Sequence, residues 1–287
     1  MNQGFLSYDF ILNALLASLI GSITAGIIGT YIVTRRMVFI TGGITHASFG
    51  GLGLGYYLGI DPIFAAAIFG MASGAGVEFL SKYRKIREDS VIAMTWSFGM
   101  AIGIIFIFIT PGYAPNLNSY LFGNILSVSS GDLLIMVLLM AGVLALFIPF
   151  FRLIQYITFD EEFARSGRIP VGLFKYLLMS LVALTAVVYI RVAGIILVLS
   201  LLTIPQNAAL LFSNNLKKII LLSILLGFAG SLAGLWLSYI WNIPSGASII
   251  FSLVMIYLIS SGLKSIVNWI RRKKAAPAGN TAGQILK

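Results

Sequence analysis

The sequence lacks cysteine altogether and contains only one histidine and nine acidic residues in a chain of 287 residues. The absence of cysteine excludes disulfide bonds and thiolate metal sites. Charged residues make up 10% of the chain, whereas soluble globular domains carry about 25%. So few charges do not suffice for a surface that faces water on all sides. The hydrophobic share of 59% therefore indicates a chain that lies largely in lipid.

Long apolar runs account for most of the sequence. A helix that crosses the hydrocarbon core needs roughly 20 mainly apolar residues. The sequence therefore predicts an all-α, polytopic membrane helical bundle with about nine transmembrane helices. The predicted spans are 10–34, 37–59, 63–81, 91–110, 132–150, 173–190, 192–212, 218–240 and 247–269. We expect residues 1–274 to form a single transmembrane domain and residues 275–287 to form a disordered cytoplasmic tail.

Basic residues are distributed unevenly among the loops. If the loop after the first span is cytoplasmic and the spans alternate, 18 of the 19 Lys and Arg residues fall on the cytoplasmic side, and only Arg191 falls outside. Because cytoplasmic loops carry an excess of Lys and Arg, this pattern predicts an external N-terminus and a cytoplasmic C-terminus. It also explains the net charge of +10 as a topology signal rather than a nucleic-acid-binding surface. The uncharged outer segment 111–131 is predicted to dip into a pore mouth or to meet an external partner.

The second span contains the most unusual residues of the chain. Residues 41–55 read TGGITHASFGGLGLG, and the glycines of this stretch are Gly42, Gly43, Gly50, Gly51, Gly53 and Gly55. Each glycine weakens a helix by roughly 1 kcal/mol relative to alanine. Such a segment is expected inside the bundle, either interrupted beside a cavity or packed closely against neighbours. Further GxxxG pairs at 70 and 74, 99 and 103, and 230 and 234 are typical of close helix packing.

His46 is the first candidate for a metal ligand. It lies about nine residues from the inner end of its span, or roughly 13 Å, which is close to the middle of the bilayer. Ionisable residues at that depth are functional candidates, and neutral imidazole is a common ligand of transition metals. Thr45 and Ser48 are the neighbouring polar candidates for the same path. The alternative is a histidine that forms hydrogen bonds between helices and serves packing.

Two further polar candidates follow Pro205. Gln206 and Asn207 are predicted either to face the transport path from a kinked helix or to bond the backbone groups that the proline frees.

A cytoplasmic segment between the fifth and sixth predicted spans indicates a docking surface. We expect a short helix over residues 159–168, capped by Thr158 or Asp160 and ended by Gly167 and Pro170. Two phenylalanines at i, i+4 would form one apolar face of this helix. The predicted docking residues are Phe159, Asp160, Glu161, Glu162, Phe163 and Arg165. The alternative is an interfacial helix that lies on lipid, although its acidic start would be repelled by anionic headgroups.

Several stretches, taken in order, resemble the permease subunit of bacterial zinc, manganese and iron(II) ABC importers. They are Arg35-Arg36-Met37-Val38-Phe39 followed by GGITHASFGGLGLG, Glu88-Asp89-Ser90, Tyr120-Leu121-Phe122-Gly123-Asn124, Ser130-Gly131-Asp132, Phe159 to Arg165, Val192 to Val198 with Ile204-Pro205, and Ile243 to Ala247. The resemblance implies a homodimer in the inner (plasma) membrane with the metal path at its centre. It also implies a separate ATPase that grips the 159–168 helix and an extracytoplasmic metal-binding protein. The substrate would be a divalent metal ion, zinc or manganese before iron(II). ATP would be bound by the partner subunit, and this chain would bind no cofactor.

The sequence departs from this family at two positions. Many zinc and manganese members carry an acidic residue four positions before the histidine, where this chain has Gly42. A carboxylate there would share a helix face with the imidazole and complete a bidentate site. Asn242 stands where family members often have aspartate. These departures predict that the path coordinates the ion weakly or only guides it.

Other classes of function fit the sequence less well. The chain has no GxxxxGK[ST] sequence, so it is predicted not to bind ATP through a P-loop and not to be an enzyme. An ion-coupled secondary metal transporter or channel is the main alternative, but such a transporter needs carboxylates within the membrane. The acidic residues here lie at span ends or in loops, with Glu78 the deepest. A membrane metalloprotease would require HExxH, which one histidine cannot supply.

Overall fold

The computed structural model of the protein describes residues 9–84, 86–111, 123, 125–167 and 169–275. These residues form eleven α-helices and one short 3-10 turn at Ile125–Ser127, and no β-strand occurs among them. The helices are α1 (Asp9–Thr34), α2 (Val38–Leu58), α3 (Pro62–Arg84), α4 (Glu88–Ile109), α5 (Ser130–Phe147), α6 (Phe151–Phe159), α7 (Glu161–Ser166), α8 (Val171–Leu201), α9 (Ile204–Leu210), α10 (Leu216–Trp241) and α11 (Ser245–Ala275). The predicted all-α class is confirmed.

Six helical segments of the described residues are long and apolar enough to cross a membrane, where the sequence predicts about nine. They are Phe10–Thr34, Glu88–Ile109, Ser130–Phe147, Val171–Leu210, Leu216–Trp241 and Ser245–Ile270. Helix α3 supplies only a shorter apolar stretch, Pro62–Val77. The mean hydropathy of α2 is too low for it to be counted among the six. The reason lies in composition, because the glycines and His46 lower the hydropathy of α2 although it has 21 residues. The described residues thus form a multi-span membrane protein.

The predicted spans 173–190 and 192–212 form a hairpin that turns at Gly194. Inside α8, Gly194 has φ 76° and ψ 160°, far from helical values. Thr185 and Leu201 line the same small cavity, whereas a straight helix would hold them about 24 Å apart. The chain therefore folds back at Gly194, and residues 195–210 run antiparallel to residues 171–193.

The tip of this hairpin is covered by Gly123, which belongs to the segment predicted to lie outside. Gly123 has φ 62°, a conformation that favours glycine, and a methyl group there would overlap the backbone of Ala193 and Gly194. Both the close approach and the positive φ therefore require glycine at position 123. Residues 112–122 and 124 of the predicted pore-mouth segment lie outside the described residues.

An ion pair fastens the same end of the bundle. Arg191 Nε lies 2.8 Å from Asp132 Oδ1, and the Asp132 side chain is nearly buried. Asp132 also accepts hydrogen bonds from the Ser129 amide and hydroxyl, which completes a capping box at the start of α5. Arg191, the single cation predicted outside, therefore joins α8 to α5.

Helix α2 lies at the centre of the bundle, in contact with α3, α4 and α8, and most of its residues are buried. Its helix is continuous from Val38 to Leu58, so its glycines do not interrupt it. They permit close approach instead: a methyl group at Gly51 would lie 2.5 Å from the Ala65 carbonyl oxygen of α3. Of the two predicted alternatives, an interrupted helix and a closely packed one, the structure shows the closely packed one. The backbone hydrogen bonds of α2 are kept within the helix.

Replacing Gly99 tests this close packing. A methyl group at Gly99 of α4 would lie 2.5 Å from Ala47 Cα of α2, and backbone cannot move aside as a side chain can. We expect Gly99→Ala to lower the free energy of unfolding in detergent by about 1–3 kcal/mol. Gly142→Ala is the matched control, since no atom lies within 4 Å of its added methyl group. Equal effects of the two substitutions would contradict the packing role.

The C-terminal helix is longer than predicted. Helix α11 continues to Ala275, six residues beyond the predicted span end at 269. Ala275 therefore belongs to a helix rather than to the predicted disordered tail, and residues 276–287 lie outside the described residues.

Candidate metal site and docking segment

His46 is half-buried on α2, within a stretch whose other residues from Ile40 to Gly53 are buried. Its ring stacks on Trp96 of α4 with 4.0 Å between the ring centroids and 10° between the planes. Its Nδ1 atom is buried and has no hydrogen-bond partner among the described residues. The stack sets the plane of the imidazole and leaves Nδ1 uncommitted. A nitrogen in this state is suited to binding a metal ion.

Helix α4 is largely exposed where it passes this stack, as far as the described residues show. Met94, Trp96 and Phe98 are all exposed along it. At about 100° per residue, Met94 and Phe98 lie on one side of α4 and Trp96 lies nearly opposite them. Trp96 covers His46, the partly exposed residue in the centre of α2, while Met94 and Phe98 project away from it. The His46 ring is thus partly open to the surface of the bundle beside Trp96, while its Nδ1 atom is covered.

Thr45 and Ser48 do not join His46 at that surface in the single chain. The Thr45 hydroxyl donates to the Thr41 carbonyl at 2.6 Å, and the Ser48 hydroxyl donates to the Ile44 carbonyl at 2.8 Å. Both residues are buried, and Ser48 packs against Gly70 of α3. Their place in a metal path stays a prediction.

Gln206 and Asn207 occupy different environments. Gln206 is fully buried, and its Nε2 donates to the carbonyls of Ala25 at 2.8 Å and Leu201 at 3.1 Å. Its Oε1 has no partner among the described residues. Asn207 is exposed and donates from Nδ2 to the Thr203 carbonyl at 2.7 Å. Both amides thus bond backbone carbonyls shortly before Pro205, those of Leu201 and Thr203, and Gln206 also reaches Ala25 of α1. Their place in a transport path stays a prediction.

One chain supplies few metal ligands. Within the described residues, no three His, Asp or Glu side chains come together to hold an ion. At position 42, where family members often carry a carboxylate, the nearest neighbour of an added methyl group would be Leu199 at 3.8 Å. His46 therefore stands as a single imidazole per chain.

Asn242 lies at the C-terminal end of α10 and has a structural role there. It caps that helix in the left-handed conformation, with φ 51° and ψ 46°, which asparagine tolerates better than most residues. It also lines a cavity of about 860 Å³ between α1, α10 and α11. Asparagine in place of aspartate thus keeps the turn while removing a charge from this cavity.

The predicted docking helix is divided in two. Phe159 is the last residue of α6, and Asp160, with φ −148° and ψ 93°, breaks the chain before the six-residue α7. The Asp160 carboxylate accepts from the Phe163 amide at 2.8 Å, so Asp160 rather than Thr158 is the cap. Thr158 bonds its own helix at Ile154 instead. Phe159 and Phe163 therefore do not share one helix face, contrary to the prediction, and Arg168 lies outside the described residues.

Glu161 ties α7 to the end of α1. Its two carboxylate oxygens accept from Arg165 Nη2 at 2.8 Å and Arg35 Nη2 at 3.1 Å. Arg35 also donates from Nη1 to the Ile157 carbonyl at 3.1 Å. The Arg165 hydrogen bond, supported by Arg35, holds the pKa of Glu161 below its usual value against the opposing effect of partial burial. The stabilisation is present at neutral pH and is lost only as the pH falls through this lowered pKa.

The outer surface of this region is aromatic. Tyr156, Phe159 and Phe163 are all exposed, and the rings of Tyr156 and Phe163 lie 5.6 Å apart. Ala164 is completely buried on the other side of α7. Because α7 is anchored by Ala164 and Glu161, the aromatic side chains project from a fixed support. We call Tyr156, Phe159 and Phe163 the aromatic docking surface.

Two contacts of these sites were not predicted. Trp96 packs on His46 from 50 positions away, and Arg35 bonds Glu161 from 126 positions away. Tyr156 was also missed, since it lies before the segment that the phenylalanine spacing singled out. An aromatic residue three positions before Phe159 was the feature of the sequence that could have indicated it.

The bundle defines a multi-span helical membrane protein. The chain belongs to the ABC 3 transport family, which matches residues 7–264. This membership confirms the resemblance noted in the sequence. It also confirms that the chain is a translocation component and not an enzyme.

Individual relatives cover nearly the whole chain. The manganese import system permease protein ScaB of Streptococcus gordonii is 32% identical over 271 residues, which are 94% of this chain and 97% of ScaB. An uncharacterised membrane protein of Synechocystis sp. is 37% identical over 255 residues, 89% of this chain and 91% of that protein. The solved structure of PsaBC from Streptococcus pneumoniae in complex with Fab matches with a TM-score of 0.81 and 33% identity, over 90% of this chain and 92% of that one.

Proposed function

We propose that this chain is the permease subunit of an ATP-driven importer for a divalent metal ion, with manganese as the first candidate before zinc and iron(II). The observation that carries the proposal is the half-buried imidazole of His46, whose Nδ1 atom has no hydrogen-bond partner among the described residues, stacked on the largely exposed helix α4. It occurs in a chain that aligns over 94% of its length with a protein named as a manganese import permease. Imidazole suits transition metals, whereas the thiolates that favour softer ions are absent.

We infer that the metal path forms between two copies of the chain. A single imidazole holds an ion poorly, and the exposed apolar side chains of α4 are of the kind that a second copy would cover. A two-fold axis along this face would bring a second His46 towards the first. Two neutral imidazoles without a carboxylate bind an ion weakly enough to release it, which transport requires.

The energy would come from a separate ATPase. The chain has no P-loop sequence, and the aromatic docking surface offers a rigid apolar contact for a cytoplasmic partner. An extracytoplasmic metal-binding protein would deliver the ion to the opposite face. We propose that the permease lies in the inner (plasma) membrane.

The proposed topology has nine spans, with the N-terminus outside and the C-terminus inside. The contacts of the cations support it. Arg35 bonds Glu161 and Lys217 lies over Phe151, so both cations meet the α6–α7 region that follows the end of α5. Arg191 pairs with Asp132 at the start of α5, one membrane thickness away.

Uptake by reconstituted complex tests the proposal. The permease with its ATPase in proteoliposomes should accumulate manganese when ATP is supplied, and collapse of the proton and sodium gradients should leave uptake intact. A secondary transporter would show the reverse dependence. ATP-independent uptake that stops when the gradients collapse would therefore overturn the proposal. Competition by zinc and by iron(II) in the same vesicles ranks the three ions.

A further inference from the structure

A cleft of about 510 Å³ opens between α1, α5 and α10, away from the face of His46. Its interior is apolar and includes Ile27, Leu144, Phe147 and Ile220. Ile27 lies seven residues before the end of α1, which corresponds to a depth of about 10 Å below the helix end. The apolar part of the cleft therefore reaches into the hydrocarbon region of the membrane.

Two cations stand at the mouth of this cleft. Arg152 and Lys217 line it, and each is the second residue of its helix, α6 and α10 respectively. The first turns of these two helices add their positive dipole ends to the same place. The mouth is therefore positive, while the interior below it is apolar.

Neither cation has an acidic partner in the part of the chain that the structure describes, since no carboxylate there forms a salt bridge with Arg152 or Lys217. Lys217 is held in place by the ring of Phe151 instead, with its Nζ 5.3 Å from the ring centroid. Elsewhere in the chain, Arg35, Arg165 and Arg191 each pair with an acidic side chain. Two exposed cations without an acidic partner above an apolar cleft match a ligand that has a negative head and an apolar chain.

We propose that this cleft binds an anionic phospholipid, with one acyl chain between α1, α5 and α10 and the phosphate between Arg152 and Lys217. Basic pockets between transmembrane helices bind anionic headgroups in this way. A zwitterionic lipid offers the same acyl chain but no net negative charge. Inorganic phosphate offers the charge but leaves the apolar interior empty. The proposal rests on the chain lying in a membrane and is independent of the metal that it carries.

Lipid binding by the purified full-length permease in detergent tests this site. Native mass spectrometry would count bound phosphatidylglycerol and phosphatidylcholine with identical acyl chains. We expect phosphatidylglycerol to bind at least tenfold more tightly than phosphatidylcholine. Arg152→Gln with Lys217→Gln should weaken phosphatidylglycerol binding by roughly thirtyfold, about fivefold for each charge, and should leave phosphatidylcholine binding unchanged.

A control variant with the same loss of charge separates a built site from general surface attraction. Arg36→Gln with Lys218→Gln removes two exposed cations that do not line the cleft. It should change phosphatidylglycerol binding by less than twofold. The charge-conserving exchange Arg152→Lys with Lys217→Arg should retain binding, which guards against loss through misfolding.

Three results would overturn the proposal. They are equal weakening by the two double glutamine variants, undiminished binding after loss of Arg152 and Lys217, and full displacement of the lipid by millimolar inorganic phosphate. Because the readout is bound lipid rather than metal uptake, none of these results bears on the transport proposal.

Discussion

His46→Ala is expected to lower metal uptake by about tenfold or more at metal concentrations below saturation. The substitution removes the only imidazole of the chain, and no group of three His, Asp or Glu side chains among the described residues offers the ion another site. The backbone of α2 is packed through its glycines rather than through His46, so the variant should still assemble in the membrane. Initial rates of ATP-dependent manganese uptake in proteoliposomes, normalised to permease content, measure the effect.

His46→Phe separates the metal-binding role from packing. Phenylalanine keeps an aromatic ring that can stack on Trp96 but has no nitrogen. If the imidazole binds the ion, His46→Phe should be as defective as His46→Ala. Wild-type uptake kinetics in His46→Phe would show that the histidine only packs between α2 and α4.

Phe163→Ala should weaken the association of the permease with its ATPase by roughly thirtyfold, the effect of losing one buried aromatic anchor of about 2 kcal/mol. Phe163 is 58% exposed although its helix is held firmly by Glu161 and Ala164. A partner that covers this ring would gain apolar contact without having to order the segment first. Co-purification and titration of the ATPase against permease in detergent measure the loss.

Two variants serve as controls for this experiment. Phe64→Ala makes the same change at a phenylalanine near the start of α3 that is 63% exposed and belongs to neither proposed site, so it should leave the association unchanged. Arg35→Gln removes the ion pair that orients α7 but keeps the aromatic docking surface, so it should produce a smaller loss. Undiminished ATPase recovery with Phe163→Ala would instead favour a segment that lies on lipid.

The sequence predicts the hairpin that turns at Gly194 well and the docking segment less well. Two apolar runs separated by Arg191 indicated a turn, and the chain reverses three residues later at Gly194. In the docking segment, capping by Asp160 was among the predictions, but an N-cap residue is itself non-helical. That geometry ends α6 at Phe159 and separates it from Phe163. The i, i+4 pairing of the phenylalanines fails for this reason.

The glycines of α2 show a different limit of prediction from sequence. Their number indicates a position inside the bundle, and both a broken and a closely packed helix satisfy that pattern. The choice depends on what lies opposite each glycine. Gly99 and Gly103 of α4 face Ala47 and Phe49 of α2 at backbone distance, and this mutual fit keeps the helix intact.

The sequence by itself determined that this chain crosses the membrane many times as helices, because each apolar span must satisfy its own backbone hydrogen bonds and needs no distant partner to do so. Only the tertiary structure decided that His46 stacks on Trp96, that Arg35 holds Glu161, and that Arg152 and Lys217 meet above one cleft. These contacts depend on how helices far apart in the chain lie side by side. Lateral packing in lipid depends on matching surfaces on two helices at once, and neither helix alone carries that information.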